Sequence, residues 1–493
     1  MKSLARGAVV VAAGGLISKI IGAVYRVPLT AVLGAEGIGL YQMVFPVYCA
    51  LLTFSSAGLP SALSGLIAKN RGNAAVIFRR SLVLFCPIGL AGSVIMCVFG
   101  GFFAKLQGNS SAGICYAALS PSVFLVSVIS CVRGYFQGHG NMSPTAVSQV
   151  AEQIVKTVFG LAVCRFFRSD VRLAAAMASL AVTVSELFAA AYLLIRLKIA
   201  GYRRENLPRE SGAYKRILAL TVPVGLTALL LPLGHFADSF IVINALGGGS
   251  GATALYGIYS GGVAAITGAP VALAYGAAAA CVPYVSGGKR EEIVNALRFT
   301  GVICIPFTLF FTFFSRECID LLYGRMFAYE KFAAGQILGA DAISVTILSF
   351  LQTANAVLLA RGKQRIPLYS LSAALFLRAG LCFSFCRMES VGILGAPIAA
   401  NFSLAVALAV NLRFALAGED ITPLLVDLTK SVLCSILCVL CGFFVYNAIG
   451  GRAAFLLVSF MSAAAYLSSV AIFGAGKEIF GLKSGQKKRT LSA

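Results

Sequence analysis

The chain is short of charge. Asp, Glu, Lys and Arg make up 12% of its 493 residues, about half of what soluble chains carry. Histidine occurs only at His139 and His235. No polar block between the apolar segments is large enough to fold alone. There is no P-loop, no H-E-x-x-H, no G-x-S-x-G and no paired-aspartate motif. These shortages exclude a soluble globular protein and argue against an enzyme. An ATP-driven pump would need its nucleotide domain on another subunit. No cofactor is expected. The 14 cysteines are scattered through apolar stretches, where free thiols act as small hydrophobes. Cys434, Cys438 and Cys441 share a helix face, but no histidine or carboxylate accompanies them in sequence, so no metal site is expected.

What remains is hydrophobic. Apolar residues form 59% of the chain. They fall into about fourteen segments: 8–33, 38–67, 79–104, 113–136, 146–164, 173–195, 217–244, 254–285, 299–315, 333–359, 366–386, 391–416, 428–447 and 453–473. A helix needs roughly 20 residues to cross a bilayer; the longer segments contain Pro, and if they are broken or re-entrant the count is twelve or thirteen. The expected fold is therefore all-α, a polytopic membrane protein with about 14 transmembrane helices. The first segment follows Lys2 and Arg6 as a signal peptide would. Its apolar run continues past Ala12 to Gly15 and through Lys19 to Leu33, so it reads as a retained helix.

The net charge of +22 invites a nucleic-acid reading. The positions of the charges argue against it. With a cytoplasmic N-terminus and alternating loops, about 26 Lys and Arg fall on the cytoplasmic side, about 9 opposite and about 5 within spans. This places the protein in the cytoplasmic membrane with both termini inside. Its basic loops and tail lie against anionic lipid heads. The longest polar stretch, RLKIAGYRRENLPRESGAYKR at 196–216, follows six spans. It suggests an N-lobe at 1–198, a linker at 199–216, a C-lobe at 217–418, a C-terminal helix pair at 419–476 and a basic tail at 477–493. The halves echo each other: GLPSAL at 58–63 with GAPVAL at 268–273, and Leu40-Tyr41 with Leu255-Tyr256. Two pseudo-symmetric six-helix lobes are a common transporter plan, with the substrate between them.

Charge at bilayer depth costs at least about 2.5–3.5 kcal/mol, so it marks a cavity or a partner. Gly15, Lys19, Gly22 and Arg26 share one face of the first helix, with Lys19 and Arg26 about 10 Å apart along its axis. Pro28 follows and frees a backbone carbonyl. This kinked cationic face fits an anion in an aqueous cavity; alternatively Lys19 snorkels or pairs with an acid. Gln149, Glu152, Gln153 and Lys156 share a face of the fifth helix. Glu152 and Lys156 suit an intrahelical i,i+4 pair, or the face is a polar wall for sugar hydroxyls. His235 and Asp238 form either a proton or cation site or a packing contact. Arg133, Glu186, Asp341 and Arg378 complete the intramembrane charges, and Gln352 and Asn355 form a small polar patch.

Residues 14–68, GGLISKIIGAVYRVPLTAVLGAEGIGLYQMVFPVYCALLTFSSAGLPSALSGLIA, resemble the opening of the stage V sporulation protein B group of polysaccharide-biosynthesis membrane proteins. Residues 133–154, RGYFQGHGNMSPTAVSQVAEQI, resemble its fourth-to-fifth helix junction. The group belongs to the multidrug/oligosaccharidyl-lipid/polysaccharide exporter superfamily, with the lipid II flippases. The resemblance implies a MATE-like fold of two bundles with alternating access, and a polyprenyl-diphosphate-linked glycan as substrate. It implies that the last two helices help form a groove for the lipid tail. Arg26 falls where those flippases concentrate charge. Tyr25 stands where they more often carry Arg, and Leu51 and Leu52 stand where their second helix is basic.

The expected activity is therefore translocation of a lipid-linked glycan precursor, for peptidoglycan or another envelope polysaccharide, in a sporulation or cell-wall setting. Arg26, with Lys19 and either Arg133 or Arg378, would hold the diphosphate. Gln149, Glu152, Gln153 and Lys156 would contact sugars. Partners would be the lipid-linked glycan, membrane lipids and cell-wall synthesis proteins, with a monomer as the expected state. The alternative is a cation-coupled multidrug exporter using Asp238, Glu152 and Glu186.

Overall fold

The computed structural model describes residues 2–56, 58–201, 213–286, 291–323 and 327–473. The middle of the expected linker and the basic tail lie outside the described residues. Eighteen α-helices follow one another, and no strand occurs among the described residues. They are α1 (Lys2–Ser56), α2 (Leu59–Lys69), α3 (Ala74–Leu106), α4 (Gly113–Leu119), α5 (Pro121–Gly138), α6 (Ser143–Phe166), α7 (Val171–Ile199), α8 (Ala213–Ala245) and α9 (Gly249–Gly257). Then come α10 (Ala264–Ser286), α11 (Glu291–Phe313), α12 (Ser315–Leu322), α13 (Ala328–Asp341), α14 (Ser344–Ala360), α15 (Arg365–Cys386), α16 (Gly395–Ala415), α17 (Thr422–Ile449) and α18 (Gly451–Phe473).

Among the described residues, twelve stretches are long and apolar enough to cross a membrane, thirteen if the bent pair α13 and α14 counts as one span. One of them, Ala13–Lys69, runs for 57 residues, more than twice what a single crossing needs. Divided once, it brings the count to the fourteen expected from hydropathy. The division is visible at Gly34, where φ is 70° and ψ is −179°, a conformation open essentially to glycine alone. The same break recurs before α9, where Gly248 has φ 70° and ψ −174°. The Leu40-Tyr41 and Leu255-Tyr256 echo thus follows matching backbone breaks. Pro28 and Pro46 lie inside α1, Pro87 inside α3 and Pro306 inside α11. Pro60 sits instead in the first turn of α2, where its missing N–H costs nothing.

The chain divides into two compact units. The first is Met1–Ala265 with Tyr323–Ala334 and Leu375–Ala399. Its core includes Leu63 and Ile67 of α2, Phe78 and Phe85 of α3, Val132 and Phe136 of α5, and Leu193 of α7. The second is Ile266–Leu322 with Gly335–Ala374 and Ala400–Ala493. Here an aromatic cluster of Phe310, Phe314, Phe443, Tyr446 and Phe455 joins α11, α17 and α18. Tyr466 Oη donates to the Val302 carbonyl at 2.8 Å. Two arginines in this unit are ion-paired: Arg298 Nε donates to Asp427 Oδ2 at 2.6 Å, and Arg361 pairs with Glu419. Asp341 accepts from Thr267 and Ser344, and Asn355 Oδ1 accepts from Asn411.

Candidate functional site

The polar face of α6 packs on the first half of α1. Small residues set the approach. A methyl on Gly14 would lie 2.8 Å from Ala146 Cβ, one on Gly22 would lie 3.3 Å from Gln153 Oε1, and one on Gly160 would lie 2.4 Å from Tyr25 Oη. Tyr25 is thereby buried against α6. Lys156 Nζ lies 5.8 Å from the centre of the Tyr25 ring, a cation–π distance. One residue along, Arg26 is half-buried. Its charge reaches Lys156 and the buried Tyr41 and Tyr323. Neither Arg26 nor Lys156 has a carboxylate within ion-pairing distance among the described residues. Lys19 lies in α1, but its side chain is outside the described residues.

Glu152 does not take the i,i+4 partner its spacing suits. Its Oε2 pairs with Arg133 Nη2 of α5 at 3.2 Å. Arg133 Nε also donates to Ser148 Oγ at 3.0 Å. A planar guanidinium can serve both acceptors at once, while Lys156 is drawn to the Tyr25 ring. Arg133 is therefore one half of a neutral pair.

Five buried polar atoms on and beside α6 have no hydrogen-bond partner among the described residues: Tyr25 Oη, Gln149 Oε1, Gln153 Oε1, Thr157 Oγ1 and Glu186 Oε2. A buried group left without a hydrogen bond costs about 1–3 kcal/mol, so these atoms call for partners from outside the protein. Glu186 is held by its other oxygen, which accepts from Tyr48 Oη at 2.5 Å. Two cations, a tyrosine face and a ladder of amides and hydroxyls can hold an anion attached to a polyhydroxyl group.

The second cluster is closed. Asp238 of α8 pairs with Arg378 of α15, and Arg378 Nη2 also donates to Tyr259 Oη at 3.3 Å. His235 Nδ1 stands 3.9 Å from Asp238 Oδ2, with its side chain 62% exposed. Asp238 thus carries a built-in cation, and Arg378 is spent on it. Spacing suggested the His235–Asp238 pair; Arg378 lies too far along the chain for any local pattern to show it. The same is true of Tyr48 and Glu186. Tyr25 stood out only as a departure from an expected arginine. Cys434, Cys438 and Cys441 are free thiols, and no cluster of metal-ligating residues occurs among the described residues.

Residues 4–289 match the family model described as polysaccharide biosynthesis protein. The chain belongs to this family. It is 25% identical over 466 residues to stage V sporulation protein B of Bacillus subtilis (strain 168), covering 89% of this chain and 88% of that one. It is 25% identical over 407 residues to the lipid II flippase MurJ of the same organism, covering 75% and 74%. Among solved structures, one titled lipid II flippase MurJ, inward closed conformation, superposes with a TM-score of 0.75 at 14% identity, over 96% of this chain and 100% of that one. An inward-facing multidrug resistance MATE family transporter superposes with a TM-score of 0.69 at 17% identity, over 81% and 94%. The protein is a multi-pass membrane protein with the MurJ and MATE fold.

Proposed function

We propose that this member of the polysaccharide biosynthesis family flips a polyprenyl-diphosphate-linked glycan precursor across the cytoplasmic membrane. The N-lobe at 1–198 and the C-lobe at 217–418 would alternate access, with both termini in the cytoplasm. The observation that carries this reading is the pair of cations on facing helices, Arg26 and Lys156, neither of which forms an ion pair among the described residues. Burying uncompensated positive charge is unfavourable for the fold alone. A diphosphate supplies the missing anion. Gln149, Gln153 and Thr157 then meet sugar hydroxyls and amides, and Tyr25 lies beside them. By its spacing from Arg26, Lys19 would add to this face, and Arg133 shapes it through Glu152, while Arg378 is held by Asp238. The names of the relatives, a lipid II flippase and a sporulation protein, support peptidoglycan-type glycans; cell-wall synthesis partners and a monomeric working unit complete the proposal.

A cation-coupled drug exporter needs an acid open to its cargo. Here Asp238 and Glu152 are paired with arginines, and Glu186 is bonded to Tyr48. Membrane voltage suits the flippase better, since one unit charge crossing 100 mV gains about 2.3 kcal/mol. An exported anion and a returning empty cationic site both run with an inside-negative potential. Native mass spectrometry of the purified protein is expected to show a bound polyprenyl-diphosphate glycan. Ordinary phospholipids alone, in native protein and the Arg26→Ala variant alike, would contradict the reading.

The lipid tail has a seat in the second unit. An apolar groove of about 380 Å³ is lined by Val302, Pro306 and Phe310 of α11, Val439 of α17, and Ala463 and Tyr466 of α18. Ala463 is exposed and faces this groove. Ala463→Phe is expected to weaken binding of a long-chain polyprenyl diphosphate about tenfold, the scale of a few buried methylenes. A ten-carbon analogue should bind equally to both proteins. Equal loss for both chain lengths would remove the groove from the mechanism.

A further inference from the structure

The connection between α3 and α4 does more than join two helices. Gln107 is fully buried. Its Nε2 donates to the Met43 carbonyl in the second half of α1 at 2.9 Å and to Ser239 Oγ of α8 at 2.7 Å. Its Oε1 accepts from Tyr116 Oη at 2.6 Å. Two residues on, Asn109 Nδ2 donates to Thr253 Oγ1 of α9 at 2.9 Å. The α8–α9 side answers in kind. Asn244 Nδ2 donates to the Leu106 carbonyl at 3.0 Å, and the Gly249 N–H donates to the Gly108 carbonyl at 2.9 Å. A single turn therefore clasps α1, α8 and α9 together.

What it clasps is a crossing at which two backbones come into direct contact at glycines. A methyl on Gly39 would lie 2.1 Å from the Thr253 carbonyl oxygen; one on Gly257 would lie 2.4 Å from that of Ala35. Backbones in direct contact, as small residues allow in membranes, can part without unthreading interlocked side chains. Directly after Gly257 the helix runs through a π-helical turn, Ile258–Val263. Such turns recur at functional sites inside helices. Gln42 Nε2 reaches the Ser260 carbonyl of that turn at 3.3 Å. A contact that never opens needs neither a helix defect beside it nor a hydrogen-bonded loop across it.

We propose that Gln107–Asn109 is a releasable latch on the outer ends of α1, α8 and α9, and that it must let go before the protein opens outward. Its outward location rests on the topology and transport cycle proposed above. Gln107 is a positioning residue: it touches no substrate and sets the balance between closed and open states. The latch predicts that loosening it exposes buried positions to the outside, and that locking it stops the cycle.

Thr253 is fully buried, so Thr253→Cys is a reporter. In right-side-out vesicles its modification by a membrane-impermeant maleimide is followed peptide by peptide by mass spectrometry, which leaves the native cysteines in place. Adding Gln107→Ala removes several buried hydrogen bonds and is expected to raise the modification rate at least ~10-fold. Adding Lys105→Ala, just outside the latch, should leave the rate unchanged. Equal rates in the Gln107→Ala and parent proteins would overturn the proposal. In a second arm, Asn109→Cys with Thr253→Cys is oxidised and the disulfide confirmed by intact mass. Fluorescent lipid II in proteoliposomes should then stop changing leaflets, and resume on reduction. Flipping by the locked protein at the rate of the reduced one would also overturn the latch. If the maleimide arm shows opening and no lipid-linked glycan moves in any state, the proposed function falls and the latch stands.

Discussion

Replacing Arg26 by alanine is expected to abolish flipping while leaving the protein as stable as before, or more so. The two halves of this expectation have one cause. Arg26 and Lys156 place like charges near each other and neither forms an ion pair among the described residues, while Glu152 and Glu186 offset only part of the charge on Lys156. In a low-dielectric interior that repulsion disfavours the folded state. Removing one cation relieves it, so the melting temperature in detergent should hold or rise. The loss appears only when the anion arrives. A hydrogen bond from a guanidinium to a phosphate oxygen contributes about 1.5–3 kcal/mol, so affinity for a polyprenyl diphosphate should fall roughly 10- to 150-fold. Arg26→Lys keeps the charge and loses the fork, and should fall between the two. Lys156→Gln should lose less, because its ammonium already gains from the Tyr25 ring. Flipping of fluorescent lipid II by proteoliposomes, measured beside thermal unfolding of the same samples, separates the cases. A variant that loses activity and stability together would mark Arg26 as a structural residue.

This pairing of gain and loss also explains what the sequence could reveal. Apolar runs of about 20 residues have one cheap arrangement in a bilayer, so the spans and their count were readable from hydropathy. The break at Gly34 and its counterpart at Gly248 were foreshadowed by the Leu-Tyr echo that follows each. The shared faces of α1 and α6 followed from residue spacing, and they do meet, at Gly22 with Gln153 and at Gly160 with Tyr25. Partner choice was another matter. Glu152 had a well-placed lysine one turn away and took Arg133 of α5 instead, because a side chain is bound by whichever helix packs against it. Arg378 and Asp238 lie on α15 and α8, and no spacing rule spans that distance. The Gln107 clasp carries no local signature, since Met43, Ser239 and Thr253 are scattered along the chain and share no spacing with it. Local periodicity names faces; only packing names partners.

Arg378→Gln should be among the most destabilising substitutions in the chain, and Asp238→Asn should approach it. The two side chains are mostly buried and ion-paired. Removing either partner strands the other charge, a loss of about 3–5 kcal/mol at a buried pair. Arg378→Gln leaves the Asp238 carboxylate with His235 at 3.9 Å as its nearest compensating group. That imidazole is mostly exposed, so its rescue should be partial. The double variant, Asp238→Asn with Arg378→Gln, removes both charges and keeps hydrogen-bonding amides. It should recover most of the lost stability, and a double-mutant cycle measured by thermal unfolding gives the coupling directly. The same cycle tests whether Arg378 stands in for a coupling cation. If it does, native flipping is insensitive to exchange of sodium for potassium, and Arg378→Gln acquires a dependence on sodium or on acid that the native protein lacks. A native protein already dependent on sodium, together with additive losses in the cycle, would return Asp238 to the role of an open cation site.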